Sequence, residues 1–164
     1  MIPALVIRKD KGIGWKLPFT DAELQAIARG MLDAAGFSHA YVELSVLSDA
    51  AMAVLHERSL ACCGPTNILS FPARAASGKT PASSRTPHTE SRKAEKEGAF
   101  FGWLALSADT LHRECFLYGQ QAGEHCIRLL AHGIAHILGH DHSQKMDFLC
   151  EQLELTGASA FSAL

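Results

Sequence analysis

The stretch that most constrains this chain is residues 131–142, which read AHGIAHILGHDH. His132 and His136 stand four residues apart, and on a helix such positions lie on one face, one turn above each other. Gly139 follows three residues later, and glycine tolerates the left-handed backbone that ends a helix. The chain can then turn and return His142 to the same point. The spacing predicts a helix that ends beside three imidazoles able to bind one metal ion.

Three imidazoles indicate a catalytic rather than a closed structural zinc site, because they leave the fourth position of a tetrahedral Zn²⁺ open. The pattern HxxxHxxGxxH also occurs in metzincin peptidases, where a glutamate after the first histidine acts as general base. This chain has Gly133 there, which argues against peptide hydrolysis and makes a metallopeptidase-like hydrolase the less favoured alternative. Phosphodiester cleavage depends less on that glutamate, because a metal stabilises charge on phosphoryl oxygens directly.

The composition is typical of one domain working in a reducing compartment. The 164 residues are 48% hydrophobic, which is enough for a substantial core. Five cysteines without a CxxC pair disfavour a disulfide framework and a structural zinc knuckle. The N-terminal apolar run is too short for a signal peptide, and no stretch reaches the length of a membrane span. We therefore expect a cytoplasmic protein with no membrane partner.

Hydrophobic periodicity predicts elements in the order β-α-β-α-β, insertion, β-α-α-α. Helices massed at the end indicate a single α+β domain: a mixed four-stranded sheet with about five helices, and the metal site on the penultimate helix and the turn after it. The last helix is expected to turn Phe148, Leu149 and Leu153 inward. The predicted strands are residues 4–7, 41–47, 66–72 and 100–106, and the helices begin near Thr20, Ser48, Ser107, Glu124 and Gln144.

Residues 73–98 differ from the rest of the chain. These 26 residues contain no Val, Ile, Leu, Met, Phe, Trp or Tyr, and they carry six basic and three acidic side chains. Such a segment cannot bury enough apolar surface to offset its ordering entropy. We expect a disordered basic insertion within one domain that spans residues 1–164. A solvated linker is the favoured interpretation, and contact with a polyanion is the other.

Two motifs resemble those of a known family. HGIAHILGHDH is similar to HGxLHLxGxDH, the signature of the YbeY family of bacterial metal-dependent endoribonucleases, and TNILSFP from Thr66 is similar to that family's TNVLSFP. The element order also matches over residues 2–155, apart from the insertion. The resemblance implies a YbeY-like domain that holds one Zn²⁺ through His132, His136 and His142.

The resemblance further implies what the chain acts on. The substrate would be single-stranded RNA rather than DNA, and the partner would be the ribosome or its small subunit. The function would be maturation of the 3′ end of small-subunit rRNA together with ribosome quality control. Thr66, Asn67 and Ser70 could present polar groups to the substrate, although a structural role in the turn and strand fits them as well.

The chain departs from the family at two places. The family has LNxxYR before TNVLSFP, with an arginine that serves catalysis, and here Leu60 stands at the arginine position and His56 at the asparagine position. Arg58 could reach a phosphate if the helix end were shifted or longer. The family's Gly-Asp is Gly102-Trp103 here. A ribosome-assembly factor that binds rRNA with little or no cleavage is therefore the alternative function.

The other histidines lack partners at metal-ligand spacing. His125 precedes His132 by seven residues and is expected to be a wall or surface residue. Asp141 could orient a ligand histidine or merely help the chain turn. Four further histidines are expected to be solvated: His39, His56, His88 and His112.

Overall fold

The computed structural model describes residues 3–73 and 98–163. Apart from its two end residues, the predicted insertion at 73–98 lies outside the described residues. The strands are β1 (Leu5–Lys9), β2 (Ala40–Leu47), β3 (Ile68–Pro72) and β4 (Ala99–Ser107). The α-helices are α1 (Asp21–Ala34), α2 (Asp49–Leu60), α3 (Ala108–Tyr118), α4 (Ala122–Ile137) and α5 (Gln144–Ser162), and a 3₁₀ helix spans Gly14–Lys16. This order confirms the predicted one.

The four strands form one mixed sheet in the order β1-β2-β4-β3. β1 and β2 are parallel and are joined through α1, and β2 is also parallel to β4. β3 runs antiparallel to β4 and is an edge strand of the sheet. The predicted α+β architecture with a mixed four-stranded sheet is confirmed.

Short-range signals set the ends of the helices. Thr20 and Glu23 form the predicted capping box at the start of α1, each side chain bonding to the other residue's backbone N–H. Ser48 and Ser107 cap α2 and α3 in the predicted positions. Gly119 ends α3 in the left-handed conformation. These helices therefore begin where the sequence predicts.

α4 is the central helix of the fold. Ten of its sixteen residues are buried, because it lies between the sheet and the remaining helices. The larger core includes α1, α4 and α5 with the inward residues of β2 and β4, while Met52 of α2 packs on the opposite face of the sheet. None of the described helices is both long and apolar enough to span a membrane.

The inward face of α5 differs from the prediction at one residue. Leu153 is fully buried and Leu149 packs against the core, but Phe148 is 65% exposed. Met146 is buried instead. Met146, Leu149 and Leu153 follow the spacing of one helix face, whereas Phe148 lies about 100° away from Leu149. The prediction for Phe148 is therefore wrong.

A cluster of four polar side chains, the Asp49 cluster, joins α2 to α3. Oδ1 of Asp49 accepts hydrogen bonds from Ser107 Oγ and Thr110 Oγ1, both at 2.7 Å. Its Oδ2 pairs with Arg113, which also donates to Thr110 at 2.8 Å. Burial acts to raise the pKa of Asp49, but the hydrogen bonds from Arg113, Thr110 and Ser107 outweigh it and hold this pKa below its ordinary value. The ionised carboxylate therefore contributes to stability.

Candidate metal centre

α4 and the turn after it bring three histidines together. His132 and His136 lie one helical turn apart, with their Nε2 atoms 3.2 Å from each other. Gly139 has a φ of +90°, which glycine adopts without steric strain, and the chain turns there. His142 follows, so that one ring nitrogen from each histidine lies within 4.8 Å of the other two. These three residues, whose spacing predicts a metal site, are termed the histidine cluster below.

A backbone carbonyl orients His136 within this cluster. Its Nδ1 lies 3.0 Å from the carbonyl oxygen of His140. A carbonyl only accepts, so Nδ1 carries the proton and the lone pair of Nε2 is left for a metal. The carboxylate of Asp141 accepts instead from the backbone N–H of His142 at 2.8 Å. Asp141 thus supports the turn, and the carbonyl of His140 orients the ligand histidine.

The donor set fits a metal ion. In tetrahedral zinc sites with Zn–N bonds of about 2.0–2.1 Å, neighbouring nitrogens are about 3.3 Å apart, close to the separation of His132 and His136. Burial, followed by the charges of His136 and His142, lowers the pKa of His132 below its ordinary value. The neutral imidazole that binds metals is therefore favoured. Imidazole donors suit zinc and also copper, iron and nickel.

Gly133 lies where α4 presses against the sheet. A Cβ at this position would stand 2.7 Å from Cδ2 of Leu104 and 2.9 Å from Cδ1 of Ile68. Optimal carbon–carbon contacts are about 3.5–4.0 Å long. A side chain at the position of the peptidase glutamate would therefore require the ends of the Leu104 and Ile68 side chains to shift. The close packing of α4 on the sheet accounts for the glycine.

The histidine cluster opens into a cleft of about 390 Å³ between α2, β3 and α4. His56 and Leu60 form one wall from the C-terminal half of α2, and Thr66 and Ser70 line it along β3 and the turn before it. The remaining lining residues are Ile68, Leu69, Pro72 and the histidine cluster. No arginine or lysine in the described part of the chain lines this cleft. The described residues therefore give its walls no permanent positive charge.

The three polar residues predicted to face a substrate have different surroundings. Thr66 and Ser70 line the cleft. The amide nitrogen of Asn67 donates to both carboxylate oxygens of Glu114, at 3.2 and 3.3 Å, and its Oδ1 accepts from the N–H of Ile68 at 2.7 Å. The side chain of Asn67 is therefore engaged within the protein and does not line the cleft.

α2 presents a leucine, and no arginine, to the cleft. Leu60 is 60% exposed although it is apolar. Arg58 is exposed as well, but it is not among the residues that line the cleft. It stands two residues from both His56 and Leu60, which is about 200° around the helix. Arg58 therefore lies on the other side of α2.

The second departure from the family motif lies inside the sheet. Trp103 is on β4, where its ring stacks on Phe71 with centroids 4.7 Å apart. Its Nε1 donates to Oγ of Ser45 at 2.8 Å. Trp103 therefore packs across neighbouring strands beneath α2 and does not line the cleft.

Two histidines have surroundings that sequence reasoning missed. His125 is buried, and its Nε2 lies 2.7 Å from Glu114 Oε2. His56 is half-buried and lines the cleft, a location that the sequence prediction of a solvated histidine did not include. Its place four residues before Leu60, on the same helix face, was a usable signal. His39 and His112 are exposed, as expected. His88 lies outside the described residues.

Comparison with known proteins places these features in one family. The family model described as Endoribonuclease YbeY matches residues 14–152. A protein of Nitratidesulfovibrio vulgaris named Endoribonuclease YbeY is 44% identical over 133 residues, which are 81% of this chain and 82% of the relative. Its namesake in Oleidesulfovibrio alaskensis is 40% identical over 152 residues, 91% of this chain and 89% of the relative.

A solved structure has the same fold. The solution structure of TM1509 from Thermotoga maritima superposes with a TM-score of 0.58, at 14% sequence identity. The match covers 96% of this chain and 93% of TM1509. At this identity the likeness concerns the fold alone.

Proposed function

The chain belongs to the YbeY family of endoribonucleases, and on that premise we propose that it is a zinc-dependent enzyme that cleaves single-stranded RNA. We place it in the cytoplasm, where it matures the 3′ end of small-subunit rRNA and takes part in ribosome quality control. Its partners would be the rRNA and the ribosome or small subunit. DNA is not an expected substrate.

The observation that carries this proposal is the histidine cluster, which lines a cleft that has no arginine or lysine from residues 3–73 and 98–163 in its walls. His132, His136 and His142 would hold the metal through three neutral imidazoles, with the carbonyl of His140 fixing the ring of His136. Zinc in such a site supplies the positive charge and Lewis acidity that phosphodiester hydrolysis needs. Within the described part of the chain, no arginine or lysine lines the cleft to supply that charge in its place.

The side chains of the cleft would position the RNA strand. Thr66 and Ser70 have hydroxyl groups that can donate to phosphate oxygens or accept from a ribose. Asn67 would contribute by holding the start of β3 through its bonds to Glu114 and Ile68. Leu60 offers an apolar surface against which a base can pack.

Arg58 is proposed as a phosphate contact outside the cleft. It is an exposed cation on the same helix as Leu60. Loss of one phosphate contact should weaken binding of the single strand and reduce the magnitude of the slope of log K against log salt by about 0.7. Binding titrations of Arg58→Ala at several salt concentrations measure this. An unchanged affinity, slope and cleavage rate would remove Arg58 from the mechanism.

A second function is favoured by one specific observation. An exposed leucine at the position of the family arginine removes a permanent charge from the cleft wall, so a ribosome-assembly factor that binds rRNA but cleaves it poorly is the alternative. A metallopeptidase is less favoured, because Gly133 lacks the carboxylate that such enzymes use as general base.

The test is cleavage of labelled RNA that spans the 3′ end of small-subunit rRNA. We expect zinc-loaded protein to cut the single strand, and neither a duplex of the same sequence nor the matching DNA. Removal of the metal should abolish cleavage, and readdition should restore it. Tight binding without cleavage would instead support the assembly factor, and cleavage that persists in metal-free protein would contradict the proposal.

A further inference from the structure

The cleft contains a fourth imidazole besides the histidine cluster. His56 is half-buried in the last turns of α2 and lines the same cleft as His132, His136 and His142. It is not part of the group whose ring nitrogens lie within 4.8 Å of one another. His56 therefore lines the cleft beside the histidine cluster without belonging to it, where RNA would pass.

A hydrogen bond inside the protein fixes the tautomer of His56. Its Nδ1 lies 2.9 Å from the carbonyl oxygen of Gly64. The carbonyl only accepts, so Nδ1 carries the proton and Nε2 of the neutral ring has a free lone pair. No described residue forms a hydrogen bond with that Nε2. The ring thus presents one unused acceptor on the cleft wall.

The chemistry of this acceptor selects its partner. Phosphate oxygens only accept hydrogen bonds, and so they cannot pair with an unprotonated nitrogen. In the RNA backbone the 2′-hydroxyl is a donor, it occurs on every nucleotide, and DNA lacks it. We propose that Nε2 of His56 accepts a hydrogen bond from a ribose 2′-hydroxyl of RNA bound in the cleft. This inference rests on the proposed function, because it requires an RNA strand there.

Two amide substitutions separate this role from a purely structural one. In His56→Asn, the amide can still donate to the carbonyl of Gly64 but is too short to replace Nε2. In His56→Gln, the longer amide can place an oxygen near the position of Nε2 but loses the bond to Gly64. If His56 contacts the substrate, RNA binding should be weakened in His56→Asn. If His56 only supports the turn, RNA binding should be weakened in His56→Gln. His39→Asn removes an exposed imidazole that does not line the cleft and serves as control.

The readout is binding by the full chain, measured by fluorescence anisotropy with a short single-stranded RNA and its DNA counterpart, before and after zinc loading. For His56→Asn we expect RNA affinity to fall about two- to tenfold, the usual worth of one hydrogen bond, with DNA affinity unchanged. His56→Gln should keep most of the RNA affinity, and His39→Asn should match the wild type. Thermal unfolding confirms that each variant is folded.

Three results would overturn the inference. The first is an unchanged RNA affinity in His56→Asn, and the second is a loss of RNA affinity in His56→Gln alone. The third is an equal loss of RNA and DNA affinity in His56→Asn, which would indicate a phosphate contact. Because the affinity before zinc loading is measured without cleavage, a wild type that binds RNA and never cuts it after zinc loading would contradict only the proposed enzyme activity. If the wild type cuts RNA and His56→Asn binds RNA as tightly as the wild type does, only the proposed ribose contact is contradicted.

Discussion

The histidine cluster and the Asp49 cluster are both polar groups at helix ends, but their hydrogen bonds differ in direction. Asp49 receives bonds from Ser107, Thr110 and Arg113, so its carboxylate is satisfied within the protein. The histidine cluster turns one nitrogen of each ring towards a common point. A polar group whose bonds are satisfied internally joins elements, whereas donors that converge on one point are available to bind a ligand.

The two clusters also differ in the interaction on which each depends. The Asp49 cluster depends on charge, because an ionised carboxylate accepts stronger hydrogen bonds than a neutral group. The histidine cluster depends on packing, since it lies on α4, and α4 approaches the sheet so closely that a Cβ at Gly133 would stand within 3 Å of Leu104 and Ile68. Substitutions of Asp49 and of the ligand histidines should therefore affect stability and metal binding separately.

The largest effect is expected from Gly133→Glu. The new side chain would collide with Leu104 and Ile68 and would bury a carboxylate between α4 and the sheet. We expect a loss of about 4 kcal/mol in the free energy of unfolding, with no peptidase activity gained. Thermal and denaturant unfolding measure the loss. Gly133→Ala, which adds a single methyl group, should lose less; a glutamate variant as stable as the wild type would refute the packing argument.

His136→Ala should affect metal binding more than folding. Removing a residue that hydrogen-bonds to a metal ligand lowers the metal affinity about 10–100-fold, so removing a ligand itself should lower it about a hundredfold or more. Zinc titration and measured metal content test this. His140→Ala is the matched control, because it removes a neighbouring imidazole and keeps the carbonyl that contacts His136. Equal zinc affinity in both variants would exclude His136 as a ligand.

Asp49→Ala should affect folding more than metal binding. The buried hydroxyls of Ser107 and Thr110 would lose their acceptor, at a cost of about 2 kcal/mol, or about 4–8 °C in Tm for a chain of this size. Zinc affinity should not change. Asp21→Ala is the control, because it also replaces an aspartate at the first position of a helix, but one whose side chain is mostly exposed. It should lower the free energy of unfolding by less than about 1 kcal/mol. A reduced zinc affinity in Asp49→Ala would show that the clusters are coupled.

The smallest effect concerns low pH. Hydrogen bonds hold the pKa of Asp49 below its ordinary value, so its contribution to stability is complete above the unfolded pKa of about 3.9 and is lost as the pH falls below it. The stability gap between the wild type and Asp49→Ala should therefore narrow by at most about 1 kcal/mol between about pH 5 and pH 3. Urea unfolding across this range measures it. A gap that widens on acidification would contradict the assignment.

Features encoded over a few residues could be predicted from the sequence. The capping box of Thr20 and Glu23 and the serine caps involve residues three apart, and so a local motif specifies them. The histidine cluster follows from the period of one helix and the backbone freedom of Gly139. The same reasoning located the four strands of the sheet, since alternation or a short apolar run is visible within each strand.

Contacts between distant residues could not be predicted in this way. Asn67 bonds to Glu114, 47 residues away, and Glu114 also pairs with His125. Nothing in the spacing of these residues indicates that α3, α4 and β3 meet there. The exposure of Phe148 has a similar cause, because the packing of α5 on its neighbours selects which of two adjacent apolar residues turns inward.

The order of the strands leaves the described sheet with two short edges. β1 has five residues, of which Arg8 and Lys9 are exposed, and β3 has five and ends at Pro72, which has no backbone N–H to donate. Charged side chains, short length and proline all hinder the addition of a strand from another molecule. The protein can therefore leave the cleft beside β3 open to solvent without promoting edge-to-edge aggregation through that strand.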